Sequence, residues 1–399
     1  MTEPVRLAAA APRPIQNMRI TFWGVQGSCP IFPTPQSLQE YSRRLAVCIL
    51  GKAVADLQRK APDGHFTIES LLDGPPTQIN IEAYQRQIGL PEIPFYGGET
   101  TCVQIETADG NVIILDAGSG IRRCSLQLVG QWQNRADRTV YLFGSHEHLD
   151  HRSGLTFARF CYVRDNPFNI RVYGSYHFLF ALDQHYGLFS RQITDMTYVD
   201  DPIDFSHMPA NFSGTEFRTD ANAPARQRHW DVQSIAPVRI GHTTITPFEV
   251  YHGIACCLAY KIEHGGRSFV FCTDHELRRG SDETNPRQRR SREAEERLRH
   301  YCMNADVAYM DGQYSIKEYL GEEGIGHFPP VRRVDWGHGC VEDIIERATQ
   351  CNIKRTLVGH HDPERSWPQR HELDVNLAKL SVGKPNQLQL ADSDIIIDL

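Results

Sequence analysis

Apolar residues in this chain come in short runs rich in β-formers. They are Arg19–Trp23, Thr101–Glu106, Asn111–Leu115, Thr139–Phe143, Ile170–Tyr173, Thr244–Val250, Ser268–Cys272, Asp306–Met310 and Arg355–Val358. Runs of this length predict strands, and several end in Gly or Asp, where strands hand over to functional loops. Helical spacing lies between some of them. Val341, Ile344, Ile345 and Ala348 follow the i, i+3, i+4, i+7 pattern that buries one helix face, just ahead of the strand at Arg355. Strand hairpins early and mixed strands and helices later predict a layered α/β architecture.

Two stretches interrupt this pattern. Residues 34–95 hold an amphipathic helix (Leu38, Tyr41, Leu45, Cys48, Ile49, Ala53, Leu57) and a Pro/Gly-rich return. They read as a helical insertion that packs on its own core, lids a site or contacts a second copy. Residues 275–300 are a mixed charge run, expected to be a solvated loop and the start of a helix. Residues 1–17 read as a flexible tail rather than a signal peptide, their Leu-Ala run being broken by Pro12 and Pro14. The main domain is therefore expected over residues 18–399.

Composition narrows the function classes. A net charge of −7 argues against a protein that grips long nucleic acid through many phosphates, though not against a small anionic substrate. The eleven cysteines are scattered without a CxxC pair, which suits reduced thiols and a cytoplasmic protein. No apolar run has the length that spans a bilayer, so no membrane partner is expected.

The strongest chemical signal is Ser145-His146-Glu147-His148-Leu149-Asp150-His151, directly after the run Thr139–Phe143. Alternate side chains of an extended segment point the same way, so His146 and His148 can hold one metal together. A turn after Leu149 would bring Asp150 and His151 to a second. Imidazoles with a carboxylate suit Zn²⁺ or a similar borderline cation.

This HxHxDH pattern after a strand resembles the signature of the metallo-β-lactamase superfamily. Further segments agree in order: Phe22-Trp23-Gly24-Val25-Gln26-Gly27-Ser28-Cys29-Pro30, Tyr96-Gly97-Gly98-Glu99-Thr100-Thr101-Cys102 and Leu115-Asp116-Ala117-Gly118-Ser119-Gly120. The resemblance covers residues 18–399 apart from the insertion. It is closest to ribonuclease Z-like enzymes, a group that includes phosphonate-pathway cyclic phosphodiesterases and the cyclic-nucleotide phosphodiesterases phages use against Pycsar immunity. It implies an αββα four-layer sandwich of two mixed β-sheets flanked by helices, and two divalent metal ions, Zn²⁺ foremost with Mn²⁺ as the alternative.

The resemblance also implies the remaining ligands. Tyr251-His252-Gly253 matches the third motif, so His252 would complete the first metal's shell. Thr273-Asp274-His275 ends a strand where the family keeps its bridging aspartate, here Asp274. In Val358-Gly359-His360-His361-Asp362-Pro363, His360 would bind the second metal, with His361 as the alternative. Asp116 would hold a ligand imidazole in its tautomer. Trp336-Gly337-His338-Gly339-Cys340 resembles the alanine-histidine-serine-threonine element of ribonuclease Z, and Met310-Asp311-Gly312-Gln313-Tyr314 falls where its acidic partner lies. His338, oriented by Asp311, would then be a proton donor, with Gly-Cys where those enzymes have Ser-Thr. Asp150 joins the catalytic set as a metal-side carboxylate.

These residues imply a phosphodiesterase using a metal-bridged hydroxide, with a small cyclic nucleotide as the substrate and a homodimer as the expected assembly. Alternatives are an enzyme that opens a lactone, thioester or β-lactam, an RNA 3′-processing nuclease, and a metal-dependent scaffold or sensor. RNA processing would need a basic, glycine-rich arm, which the chain lacks. A flavo-diiron-like redox site would need Glu where His148 stands.

Overall fold

The computed structural model describes residues 14–32, 35–60, 64–65, 67–88, 96–190, 208–218, 228–280, 282 and 284–399. The expected tail at residues 1–17 lies mostly outside this set. The chain forms two compact units. One is Phe32–Phe95; the other joins the segment ending at Ile31 to Tyr96–Leu399.

The larger unit contains two sheets. The first is built from β1 (Met18–Gly24), β2 (Cys102–Thr107), β3 (Val112–Leu115), β4 (Thr139–Phe143), β5 (Asn169–Gly174), β6 (Asn211–Arg218) and β7 (Asp231–Ser234). The second holds β8 (Val238–Ile240), β9 (Thr243–His252), β10 (Ala255–His264), β11 (Arg267–Cys272), β12 (Val307–Asp311), β13 (Arg355–Gly359) and β14 (Gln387–Leu390). The last strand, β15 (Ile396–Asp398), returns to pair with β1 and gives the first sheet the order β15-β1-β2-β3-β4-β5-β6-β7. From β3 to β7 and from β11 to β14 the strands run parallel; elsewhere neighbours are antiparallel.

Helices α1 (Pro35–Lys60), α2 (Ile68–Leu72) and α3 (Gln78–Ile88) make up the smaller unit, around Leu71, Leu72 and Tyr84 with Ala53, Leu57 and Ile88. In the larger unit α4 (Ile121–Gln131) and α5 (Tyr176–Tyr186) precede α6 (Pro286–Cys302), α7 (Ile316–Leu320), α8 (Val341–Gln350) and α9 (Trp367–Ser381).

Strand parity explains the layers. Successive residues point to opposite faces; in β3 and in most of β11 both faces are apolar because both are covered, whereas in β2 the face opposite Val103 and Ile105 carries Gln104 and Glu106. Val103, Ile105, Ile113, Leu115 and Phe143 meet Leu258, Tyr260, Phe269, Phe271 and Tyr309 between the sheets. Their alternates Val112, Ile114 and Leu142 pack under Cys124 and Leu128 of α4 and Phe178 and Leu182 of α5. On the far side Val270, Ala308 and Met310 lie under Leu298 of α6, Ile344 and Ala348 of α8 and Leu377 of α9. The result is helix, sheet, sheet, helix, as the resemblance implied.

The charge run holds the expected loop and helix start, but part of it is buried. Helix α6, capped by the Asn285 side chain with Pro286 in its first turn, occupies its second half. Ser291, Ala294, Glu295 and Leu298 face inward, and His275 and Glu276 are buried too. Periodicity of charge did not reveal this, because the buried Glu295 is matched by Arg347 of α8, which donates to it 3.0 Å away through Nε. Among the described residues no helix is long and apolar enough to cross a membrane.

Candidate metal centre

The C-terminal ends of parallel strands gather on one edge of the sandwich, where loops are free to carry chemistry. Asp116 follows β3, residues 145–151 follow β4, Asp274 and Asp311 end or follow β11 and β12, and His360 follows β13. His252 is the last residue of β9. Asp116, Asp274 and His360 all have left-handed backbones, with φ of 60°, 32° and 54°. Non-glycine residues rarely adopt this region, and such outliers cluster at functional sites.

Two sets of side chains converge on the two oxygens of one carboxylate. Asp274 Oδ2 lies 3.4 Å from His146 Nε2 and 3.5 Å from His252 Nε2. His148 Nδ1 is 3.1 Å from His252 Nε2 and completes that set. Asp274 Oδ1 lies 3.3 Å from His151 Nε2 and 3.1 Å from His360 Nε2. Asp150 Oδ2 joins this second set, 3.2 Å from His151 Nε2 and 3.3 Å from His360 Nε2. Glu147 enters neither set.

His151, His252 and His360 are each held from the nitrogen that faces away from Asp274. His151 Nδ1 donates to Asp116 Oδ2 at 2.8 Å, and Asp116 itself accepts from the Ser145 backbone at 2.7 Å and hydroxyl at 2.8 Å. His252 Nδ1 donates to the Gly337 carbonyl at 2.7 Å. His360 Nδ1 is 3.2 Å from Gln313 Oε1. Asp150 accepts from the Ser28 N–H at 2.8 Å. Such partners fix the tautomer and turn the other nitrogen's lone pair inward. Two glycines make room: a Cβ on Gly337 would sit 2.0 Å from His252 Nδ1, and one on Gly27 would sit 2.5 Å from His360 Nδ1.

His361 turns elsewhere, its Nε2 donating to the Ala391 carbonyl at 2.7 Å, so His360 is the member of the pair that faces the cluster. His338 stands beside both sets. Its Nδ1 lies 3.1 Å from Asp311 Oδ2 and 3.8 Å from Asp274 Oδ2. Asp311 is itself fixed by backbone N–H groups of Gln313, Gly339 and His275 at 3.0, 3.0 and 3.3 Å.

The electrostatics divide the cluster. Burial holds His146 well below the ordinary histidine range and His252 at about 4. Burial opposes charge on His151 and His360 as well, but surrounding carboxylates outweigh it. Asp150, Asp274 and Asp116 raise His151, and Asp274, Asp150 and Asp311 raise His360 to about 9. Burial would push Asp274 and Asp150 up, yet the facing histidines hold both well below the carboxylate range.

The Nε2 atoms of His146, His151 and His360 are fully buried and have no hydrogen-bond partner among the described residues. Leaving such a group unpaired costs about 1–3 kcal/mol. Three of them facing the same carboxylate, with neutral or anionic donors only, fit divalent cations. Residues that sequence reasoning left without a role are Gln313, Ser145, Ser28, Glu276 and the Gly337 carbonyl. Only their adjacency to the motifs could have hinted at them.

Two facing mixed sheets between helical layers, with an HxHxDH loop at the end of β4, are the metallo-β-lactamase fold. No family model and no curated protein matches the chain. Solved structures do, distantly. A diphosphatase from the PhnP family is 12% identical with a TM-score of 0.48, covering 96% of this chain and 98% of that one. The metallo-β-lactamase fold protein YhfI from Bacillus subtilis is 12% identical with a TM-score of 0.49, covering 95% and 99%. Unliganded yeast PDE1 is 16% identical with a TM-score of 0.47, covering 77% and 96%. At such identities and TM-scores none of them lends this chain a substrate or a residue role.

Proposed function

We propose that this chain is a two-metal phosphodiesterase acting on a small substrate, a 3′,5′-cyclic nucleotide, with Zn²⁺ as its metal and a homodimer as its assembly. One observation carries the metal reading: the two oxygens of Asp274 face two separate sets of donors, in which the buried Nε2 atoms of His146, His151 and His360 lack partners among the described residues. His146, His148 and His252 would hold one cation, Asp150, His151 and His360 the other, and Asp274 would touch both. Cations held there supply a water of lowered pKa at neutral pH and positive charge beside a phosphoryl oxygen.

The phosphodiester reading rests on His338. With Nδ1 engaged by Asp311 at 3.1 Å, its Nε2 is the nitrogen turned towards a substrate and placed to pass a proton to it. An alkoxide leaving from phosphorus needs that proton; a thiolate leaving from a thioester does not. The acidic net charge of −7 favours a small substrate over long RNA.

Assaying metal-loaded protein against cyclic mononucleotides, cyclic dinucleotides and bis-p-nitrophenyl phosphate, beside a lactone and a thioester panel, tests this directly. Turnover of a cyclic mononucleotide is expected. Turnover of the lactone or thioester alone would overturn the phosphoryl reading.

A further inference from the structure

The geometry points to Glu276 as a positioning residue that sets His252 and His338 together, through the backbone turn between them. This rests on the metal-centre reading above and assigns a role to a carboxylate outside both donor sets. Glu276 lies two residues beyond Asp274 and is wholly buried. Its Oε1 accepts from the Tyr319 hydroxyl at 2.6 Å and the Asp335 backbone at 2.9 Å, and its Oε2 accepts from the Gly337 backbone at 2.8 Å. Its own N–H donates to the Tyr251 carbonyl at 2.8 Å, next to His252 on β9.

The turn it grips is unusual. Asp335 and Gly337 both have left-handed backbones, with φ of 71° and 90°. A turn so wound needs its N–H groups satisfied, and a buried carboxylate is the strongest acceptor available. The carbonyl of Gly337 then accepts from His252 Nδ1 at 2.7 Å, and the next residue, His338, reaches Asp311. The His252 and His338 rings end 5.2 Å apart, centroid to centroid. One carboxylate therefore lies in series with a donor of the first set and with the proposed proton donor. It has no comparable link to Asp150, His151 or His360, which are anchored by Ser28, Asp116 and Gln313.

A global stabiliser would weaken both halves of the centre; a positioning residue on this path weakens one. The variant Glu276→Gln keeps the shape but sets an amide NH₂ against one of the N–H donors. Chelator competition on the full chain resolves two successive Zn²⁺ dissociation constants, and the step lost in His252→Ala identifies the His146/His148/His252 cation. In Glu276→Gln that step is expected to weaken by about 10–100-fold, the usual effect of removing a group that orients a ligand, while the other keeps its wild-type value. With a turned-over substrate, kcat falls and KM holds. Tyr319→Phe, which removes one donor and leaves the backbone bonds, shifts the same step in the same direction by less, and decides the matter if Glu276→Gln does not fold. In metal-free protein, nitrogen shifts of the His252 ring report Nδ1 protonated in wild type and a mixture of tautomers in Glu276→Gln. That readout needs neither cation nor substrate, so a protein inert towards phosphodiesters would sink the functional reading alone. Equal weakening of both steps, or no change in either step or in the His252 tautomer, would overturn the role given to Glu276.

Discussion

The histidines around Asp274 form two groups that the fold treats in opposite ways. His146 and His252 sit where burial dominates and Asp274 is the main carboxylate, so they resist protonation. His151 and His360 are at least as buried but lie among Asp150, Asp274, Asp116 and Asp311, so they attract protons. The same side chain at the same depth thus becomes a neutral lone-pair donor or an ion-pair partner, according to how many carboxylates surround it. For cations the consequence is an imidazole-rich half and a carboxylate-rich half. Oxygen donors favour harder ions and imidazoles borderline ones.

The largest expected effect comes from the group the halves share. Asp274→Ala should reduce both metal content and turnover to background, as elemental analysis and a phosphodiester assay on the same sample will show. Retention of one full equivalent of metal would mean that the carboxylate serves only one half. Next in size is His338→Ala, which should keep both cations and lose about 10²–10⁴-fold in kcat, the range of a general acid. Parallel loss of metal would make His338 a ligand instead.

Asp116→Asn sharpens the contrast between halves. It sets an amide NH₂ in place of one of the oxygens that accept from His151 Nδ1 and the Ser145 backbone, so the cation of the carboxylate-rich half should bind about 10–100-fold more weakly. The His146/His148/His252 step, which Asp116 reaches through the Ser145 hydroxyl 3.0 Å from His146 Nδ1, should move much less. An equal shift in both steps would show that the halves are not separable.

The smallest effect is on the stability of metal-free protein against pH. His360 is raised from 6.5 to about 9, so its contribution is complete below 6.5 and is lost as pH rises through about 9. His252 is lowered from 6.5 to about 4, so the folded state is penalised as pH falls from 6.5 towards 4. Thermal unfolding of chelator-treated protein should therefore show a stability maximum near neutrality. His360→Gln should flatten the alkaline limb by a few degrees and leave the acid limb. An unchanged alkaline limb would contradict the asymmetry.

Much of the fold was legible because strands buried on both faces carry continuous apolar runs, and β4 matches the run Thr139–Phe143 residue for residue. Short polar edge strands such as β7 and β14 carry no such run and escaped notice. The HxHxDH loop was legible because its donors lie within six consecutive positions. The choice between His360 and His361 was open on spacing alone; what decides their directions is a left-handed backbone at His360 and the Ala391 carbonyl drawing His361 away. Glu276, His275 and Glu295 were illegible for a different reason. They look like part of a solvated charge run, and the partners that bury them, such as Gly337 and Arg347, lie more than fifty residues further along the chain.

Anomalous diffraction from crystals of the Zn²⁺-loaded protein bears most directly on the centre. Two peaks are expected, one among His146, His148 and His252 and one among Asp150, His151 and His360, with an oxygen of Asp274 on each. A single peak held by Asp311 and His338, or none near Asp274, would contradict it.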